Sequence, residues 1–196
     1  MSQSPSPLDA SRLVIHKSDS LRQCPPVKDI VFGRTFTDHM LKIPWTAARG
    51  WGEPSIEPYG PLSLEPSSVV LHYAVTLFEG MKAYRDDHGK VRLFRPEKNM
   101  ERMNRSASRI CLPNFDETEL LKLIKKLVQL DQHWVPSEPG YSMYIRPTLI
   151  GTEPSVSVTQ TSEALLFVIL SPVGPYYSSG VKPVAVSYTH LTLPTN

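Results

Sequence analysis

The chain has 196 residues, 40% apolar and 20% charged, an ordinary globular composition with enough apolar material for a real core. A formal net charge of +2 is too small to point to a nucleic-acid or acidic-membrane partner, and no apolar run approaches the roughly 20 residues that span a bilayer. Cys24 and Cys111 stand far apart and suggest neither a disulfide framework nor a zinc site, which fits a reducing, intracellular setting, with a cytoplasmic location expected.

Residues 1–28, rich in Ser and Pro, read as a loosely ordered arm in which "SRLVIH" can lie down as an edge strand. The opening residues lack the apolar core of a secretory signal. From "DIVFGRTFTDHMLKIPW" onward, short extended segments alternate with turns, and the spacing of Gly, Pro and Ser in "GWGEPSIEPYGPLSLEPSS" forbids a long helix. "VVLHYAVTLFEG" is expected to begin as a strand and to turn into a short helix ended by Gly80. "MKAYR" and "KVRLF" alternate apolar and polar side chains around "DDHG", a β-hairpin signal.

Pro96 opens a predicted helix in which Met100, Met103, Ala107 and Ile110 share one face. A second helix follows, with Asp116 and Glu119 in a capping-box pattern and Leu120, Ile124, Leu127 and Val128 on one stripe. After "VPSEPG" come the extended "YSMYIRPTLIG" and "ALLFVIL", the latter expected to be a strand buried on both faces. "VKPVAV" starts a further strand. Strands on either side of two adjacent helices make an α+β domain with a mixed sheet rather than a repeating βαβ wheel.

The familiar site motifs are missing from the sequence: no P-loop, dinucleotide glycine fingerprint, HExxH or GxSxG is present. His39, His72, His88, His133 and His190 are scattered and read as surface or capping residues. Two patterns remain. Arg102, Arg105 and Arg109 fall on one helical stripe, which suits a phosphate dianion, although spacing alone favours a solvated face with Glu97 and Glu101 as partners. Periodicity does not choose which of the arginines, if any, binds an anion. On the strand "YSMYIRP", Tyr144 and Arg146 point the same way, fit for a carboxylate-bearing substrate or for an exposed edge pair. Phe32, Tyr73, Phe78, Tyr176 and Tyr177 are candidates for an apolar pocket or for plain core.

"VFGRTFTDHML", "LHYAVTLFEGMKAYR", "VRLFRPEKNMERMNRSA", "YIRPTLIGTEPS" and "ALLFVILSPVGPYY", in that order, resemble the animal branched-chain amino-acid aminotransferases over residues 10–185. These are pyridoxal-phosphate enzymes of fold type IV. The resemblance implies the small N-terminal domain of that fold over residues 29–171. Residues 172–185 would be the interdomain loop and the start of a second domain. It makes Arg102 the phosphate-gripping residue of the pyridoxal 5'-phosphate cofactor. Phe32, Phe78 and Tyr144 become walls of the pocket for leucine, isoleucine and valine side chains. Arg146 would accept the distal carboxylate of glutamate or 2-oxoglutarate, and Tyr176 would close over the substrate.

In a homodimer, Tyr73 would reach in from the neighbouring subunit, while Val156 and Val158 would line the partner's pocket. The family commonly reads "GTEPSLGV" where this chain has Val156 and Ser157, which bears on chain-length preference. The lysine that carries the cofactor belongs to the family's second domain. Lys82, Lys90, Lys98, Lys122, Lys125 and Lys126 match surface positions, so this stretch alone is expected to be inactive. Residues 186–196, "VSYTHLTLPTN", resemble translated sequencing-adapter sequence and are expected to be non-native. Two other readings stand beside the transaminase: a catalytically dead dimerising or regulatory module, and another fold-type-IV enzyme such as a D-amino-acid aminotransferase. "FTDHM" and "LFEGMKAYR" speak against the last. Cytosolic and mitochondrial relatives share this domain, so the resemblance leaves a mitochondrial location open.

Overall fold

A computed structural model describes residues 5–175; the expected "VKPVAV" strand, Tyr176 and Tyr177 lie outside them. The strands are β1 (Val14–Ile15), β2 (His39–Thr46), β3 (Gly50–Trp51), β4 (Ser55–Pro58), β5 (Thr76–Phe78), β6 (Met81–Arg85), β7 (Val91–Leu93), β8 (Ser142–Gly151) and β9 (Glu163–Val173). The helices are α1 (Val69–Tyr73), α2 (Pro96–Arg109) and α3 (Glu117–Leu130). Among the described residues the strands form one mixed sheet in the order β1-β4-β2-β9-β8-β6-β7, with β3 on β2 and β5 on β8. β1 and β4 run parallel, and every other pair is antiparallel.

α2 and α3 lie side by side on one face of this sheet. Met100, Met103 and Ala107 of α2, with Leu120, Leu123, Ile124 and Leu127 of α3, are fully buried in one core with Ile43, Met143, Ile145, Leu166 and Val168. Each of these side chains larger than Ala107 stabilises the fold by ~1.5–3 kcal/mol relative to exposure. Ile110 departs from the expected face: it is the residue that ends α2, out of helical conformation and 38% exposed. The capping pattern of α3 is half made. Asp116 Oδ1 accepts from the backbone N–H groups of Thr118 and Glu119. The Glu119 side chain instead accepts from Ala10 N and pairs with Lys122.

The Ser/Pro-rich segment is held more closely than its composition suggests. Leu8 is buried, β1 pairs with β4, and Arg22 donates to Asp38 Oδ1 through both its backbone N–H and Nε. "VVLHY" forms the helix and "TLF" the strand, the reverse of the expected order. The β-branched Val69 and Val70 favour a strand locally. Packing overrides this: Val69 sits against Gly151, where a Cβ would stand 2.8 Å from Val69 Cγ2, and Ala74 ends the helix in the left-handed region.

The expected burial of β9 on both faces holds for one face only. Ala164, Leu166, Val168 and Leu170 are buried beneath the helices, whereas Leu165, Phe167 and Ile169 on the opposite face are partly exposed. β8 alternates in register, because Arg146 pairs with Ile169 and Thr148 with Phe167. Tyr144, Arg146 and Thr148 therefore share the face turned away from the helices.

Candidate functional site

Two adjoining depressions meet at Tyr144. One, of about 500 Å³, lies between the start of β6 and the first turns of α2, and its lining includes Lys82, Arg95, Lys98, Asn99 and Arg102. The other, of about 240 Å³, is walled by Phe32, Phe36, Tyr144, Arg146, Ile169 and Ser171. The first is rich in cations; the second is mostly apolar with one guanidinium.

β8 supplies the shared wall. Arg146 donates to the Tyr144 hydroxyl oxygen from Nη2 at 2.8 Å and from Nε at 3.2 Å. Its guanidinium also lies over the Phe78 ring, 4.2 Å from the centroid. Phe78 reaches that position because β5 pairs it with Thr148. Phe32 packs against Tyr144 at 5.6 Å with rings tilted by 58°. A phenol oxygen that accepts two charge-assisted bonds keeps its own O–H for an acceptor outside the pair. The arrangement can therefore present an apolar aromatic wall with a donor and a cation at its rim.

The cationic depression is organised by α2 and the β5–β6 loop. Arg102 donates from Nε and Nη2 to the two oxygens of Glu79, each at 2.9 Å. Burial would raise the Glu79 carboxyl, but hydrogen bonds from Arg102 and Asn99 outweigh it and hold the group below its ordinary value. Donation to Glu79 and the carboxylate's negative charge push Arg102 upward. Both stay charged at neutral pH. Arg95 sits at the N-cap of α2 in the left-handed region, φ 46°, an unusual conformation for a non-glycine residue beside a site. Lys82 and Lys98, expected as plain surface positions, both line this depression.

The structure thus brings Phe32, Phe78, Tyr144 and Arg146 into one cluster, with Arg102 next to it. Arg105 and Arg109, the other members of the stripe, are exposed and line neither depression. Tyr73, Val156 and Val158 belong elsewhere. They are exposed, and the Tyr73 hydroxyl donates to the backbone carbonyl of Val156 in the same chain. Sequence reasoning missed Glu79, Asn99 and Gly80. Only Asn99 carried a usable signal, since it lies one helical turn before Arg102 on the same face.

The amino-transferase class IV family matches residues 76–195, more than half of the chain and nearly all of the elements that build both depressions. The chain belongs to the class IV aminotransferases. Similar members include the mitochondrial branched-chain-amino-acid aminotransferase of Saccharomyces cerevisiae, 57% identical over 183 residues, which are 93% of this chain and 47% of that protein. The cytosolic branched-chain-amino-acid aminotransferase of Mus musculus is 57% identical over 87% of this chain and 44% of its own length. The chain spans about half the length of the curated relatives it matches.

Among solved structures, this class IV chain is similar to the branched-chain aminotransferase of Thermoproteus uzoniensis crystallised with norvaline. The match has a TM-score of 0.55 and 25% identity, over 69% of this chain and 42% of the other. The branched-chain amino acid aminotransferase of Escherichia coli shares the fold at a TM-score of 0.53 and 20% identity, over 68% and 40%. No helix among the described residues is long and apolar enough to cross a membrane.

Proposed function

We propose that the protein carrying this chain transfers the amino group of leucine, isoleucine or valine to 2-oxoglutarate, releasing the branched 2-oxo acid and glutamate. The observation that carries this reading is the Phe32–Tyr144–Arg146–Phe78 cluster, an aromatic wall with one guanidinium at its rim. An aromatic wall suits an aliphatic side chain, and a guanidinium suits the distal carboxylate of the alternate substrate. A single pocket thereby accepts both amino-group donors and acceptors. The branched-chain names of the relatives point the same way.

Class IV aminotransferases use pyridoxal 5'-phosphate, and the residues present fit that group. Its phosphate is a dianion, and the depression beside Tyr144 is lined by Arg95, Lys82, Lys98 and Arg102, with the Glu79 charge already matched by Arg102. Bound there, the cofactor supplies the electron withdrawal that acidifies the α-C–H bond of the amino acid. Arg102 holds the phosphate, and the Tyr144 hydroxyl, paired with Arg146, donates to the distal carboxylate of 2-oxoglutarate or glutamate. Phe32 and Phe78 keep water from the aliphatic chain.

In the proposed homodimer, Tyr73, Val156 and Val158 form the surface that completes the partner's pocket. In this reading none of Lys82, Lys90, Lys98, Lys122, Lys125 and Lys126 is assigned the role of carrying the cofactor. A cytosolic or mitochondrial setting accords with the relatives. A panel of amino acids offered with 2-oxoglutarate tests the reading. Leucine, isoleucine and valine are expected to give glutamate fastest, and faster turnover of aromatic or acidic donors would overturn it.

A further inference from the structure

Arg102 is gripped along one edge. A guanidinium carries five N–H groups. Glu79 takes one from Nε and one from Nη2, which occupies the side edge and leaves the Nη1/Nη2 edge pointing away from the carboxylate. The Arg102 side chain is 49% exposed and that of Glu79 only 12%, so the carboxylate is the fixed member and the guanidinium the presented one.

Glu79 is itself held from two other directions. Asn99 Nδ2 donates to Glu79 Oε2 at 2.8 Å and to the Gly80 carbonyl at 2.9 Å. The Glu79 backbone N–H donates to Pro147 O on β8 at 3.0 Å. Asn99 is buried on α2, one turn before Arg102. The loop between β5 and β6 is thus tied to the helix that bears Arg102 and to the strand that bears Tyr144.

We propose that Glu79 is the positioning residue for Arg102. It turns the guanidinium so that its second edge meets the phosphate of the cofactor, and Asn99 holds Glu79 in turn. This rests on the assignment of Arg102 to the phosphate made above. Bidentate binding of a phosphate needs one edge in a fixed plane, and an exposed arginine without an anchor spends its time in other rotamers. The opposite role would be that of a competing anion, which phosphate must displace from Arg102. The two roles differ in the sign of a measurable effect.

The test titrates the apo form of the protein carrying this chain with pyridoxal phosphate and, separately, with pyridoxal, which lacks the phosphate. The ratio of the two affinities isolates the grip on phosphate. Glu79→Gln is expected to reduce that ratio about tenfold with pyridoxal binding unchanged, the scale of one charge-assisted hydrogen bond. Asn99→Ala is expected to shift it the same way by a smaller factor, and it decides the matter if Glu79→Gln does not fold. Arg102→Lys is the control. If Arg102→Lys leaves the ratio intact, the phosphate assignment itself is wrong and the positioning role goes with it. If Arg102→Lys erodes the ratio while Glu79→Gln or Asn99→Ala leaves it unchanged or raises it, the assignment stands and the positioning role of Glu79 is overturned.

Discussion

Gly80 and Tyr144 are in contact: the phenol lies against residue 80 so closely that a Cβ there would collide with Oη and stand 2.9 Å from Cζ. The glycine is needed for this approach and not for its backbone angles, which are ordinary. Gly80→Ala is therefore expected to push the phenol aside and break its bonds with Arg146. The predicted cost is ~1–3 kcal/mol of stability, the usual scale for overpacking. Urea unfolding of the two proteins checks this, and an unchanged midpoint would show that Tyr144 moves freely.

Tyr144→Phe leaves the ring in place and removes the acceptor that fixes Arg146. On the proposed function, KM for 2-oxoglutarate should rise about tenfold, because an unanchored guanidinium binds the distal carboxylate less well. KM for leucine should change far less, since the aromatic wall survives. Steady-state kinetics with each substrate varied in turn separate the two. Equal effects on both would place the phenol on a feature they share.

α3 pins β2 through a buried pair. Asp131 Oδ1 meets His39 Nδ1 at 2.6 Å, Asp131 Oδ2 accepts from the His39 backbone N–H at 3.0 Å, and Ser18 N donates to His39 Nε2 at 2.9 Å. Asp131→Ala strands the imidazole and an amide in the core, and about 3–5 kcal/mol of stability should be lost. Equilibrium unfolding by urea measures it. A loss below about 1 kcal/mol would mean that water takes over the lost contacts.

The acid limb of stability has a sign that follows from Asp38 and Glu79. Burial would raise the Asp38 carboxyl, but bonds from Trp134 Nε1 and from Arg22 outweigh it and hold the group below its ordinary 3.8. His133 Nε2 also faces Asp38, at 3.3 Å. Glu79 is likewise held below its ordinary 4.5. A carboxyl whose folded value is depressed stabilises the fold fully above its unfolded value, and that contribution fades as pH falls through the folded one. Stability should be level above about pH 5 and decline below it. Asp38→Asn should flatten the decline, read from urea midpoints at about pH 6 and pH 3.5. A variant with the wild-type slope would exclude Asp38 as a source.

Local order was legible in the sequence wherever one short segment decides it. Leu120, Ile124, Leu127 and Val128 repeat at helical spacing, and α3 buries all four. "MKAYR" and "KVRLF" form the expected hairpin, with Arg85 opposite Val91. Val69 and Val70 misled because the helix there is imposed by packing on Gly151, far along the chain. Glu79 was invisible for a related reason: its partner lies 23 residues away on a different element, and an acidic residue in a turn has no distinctive pattern. Tyr144 and Arg146 were legible as a pair because strand geometry alone puts them on one face. That Phe78 stacks on the arginine depends on the β5–β8 register, which no local pattern encodes.

The proposed amino transfer is tested most directly by nitrogen itself. The protein carrying this chain, loaded with pyridoxal phosphate and given ¹⁵N-leucine and unlabelled 2-oxoglutarate, should yield ¹⁵N-glutamate in step with the appearance of the branched 2-oxo acid. Mass spectrometry that finds the 2-oxo acid with the label released as ammonia, or no labelled glutamate at all, would contradict the account.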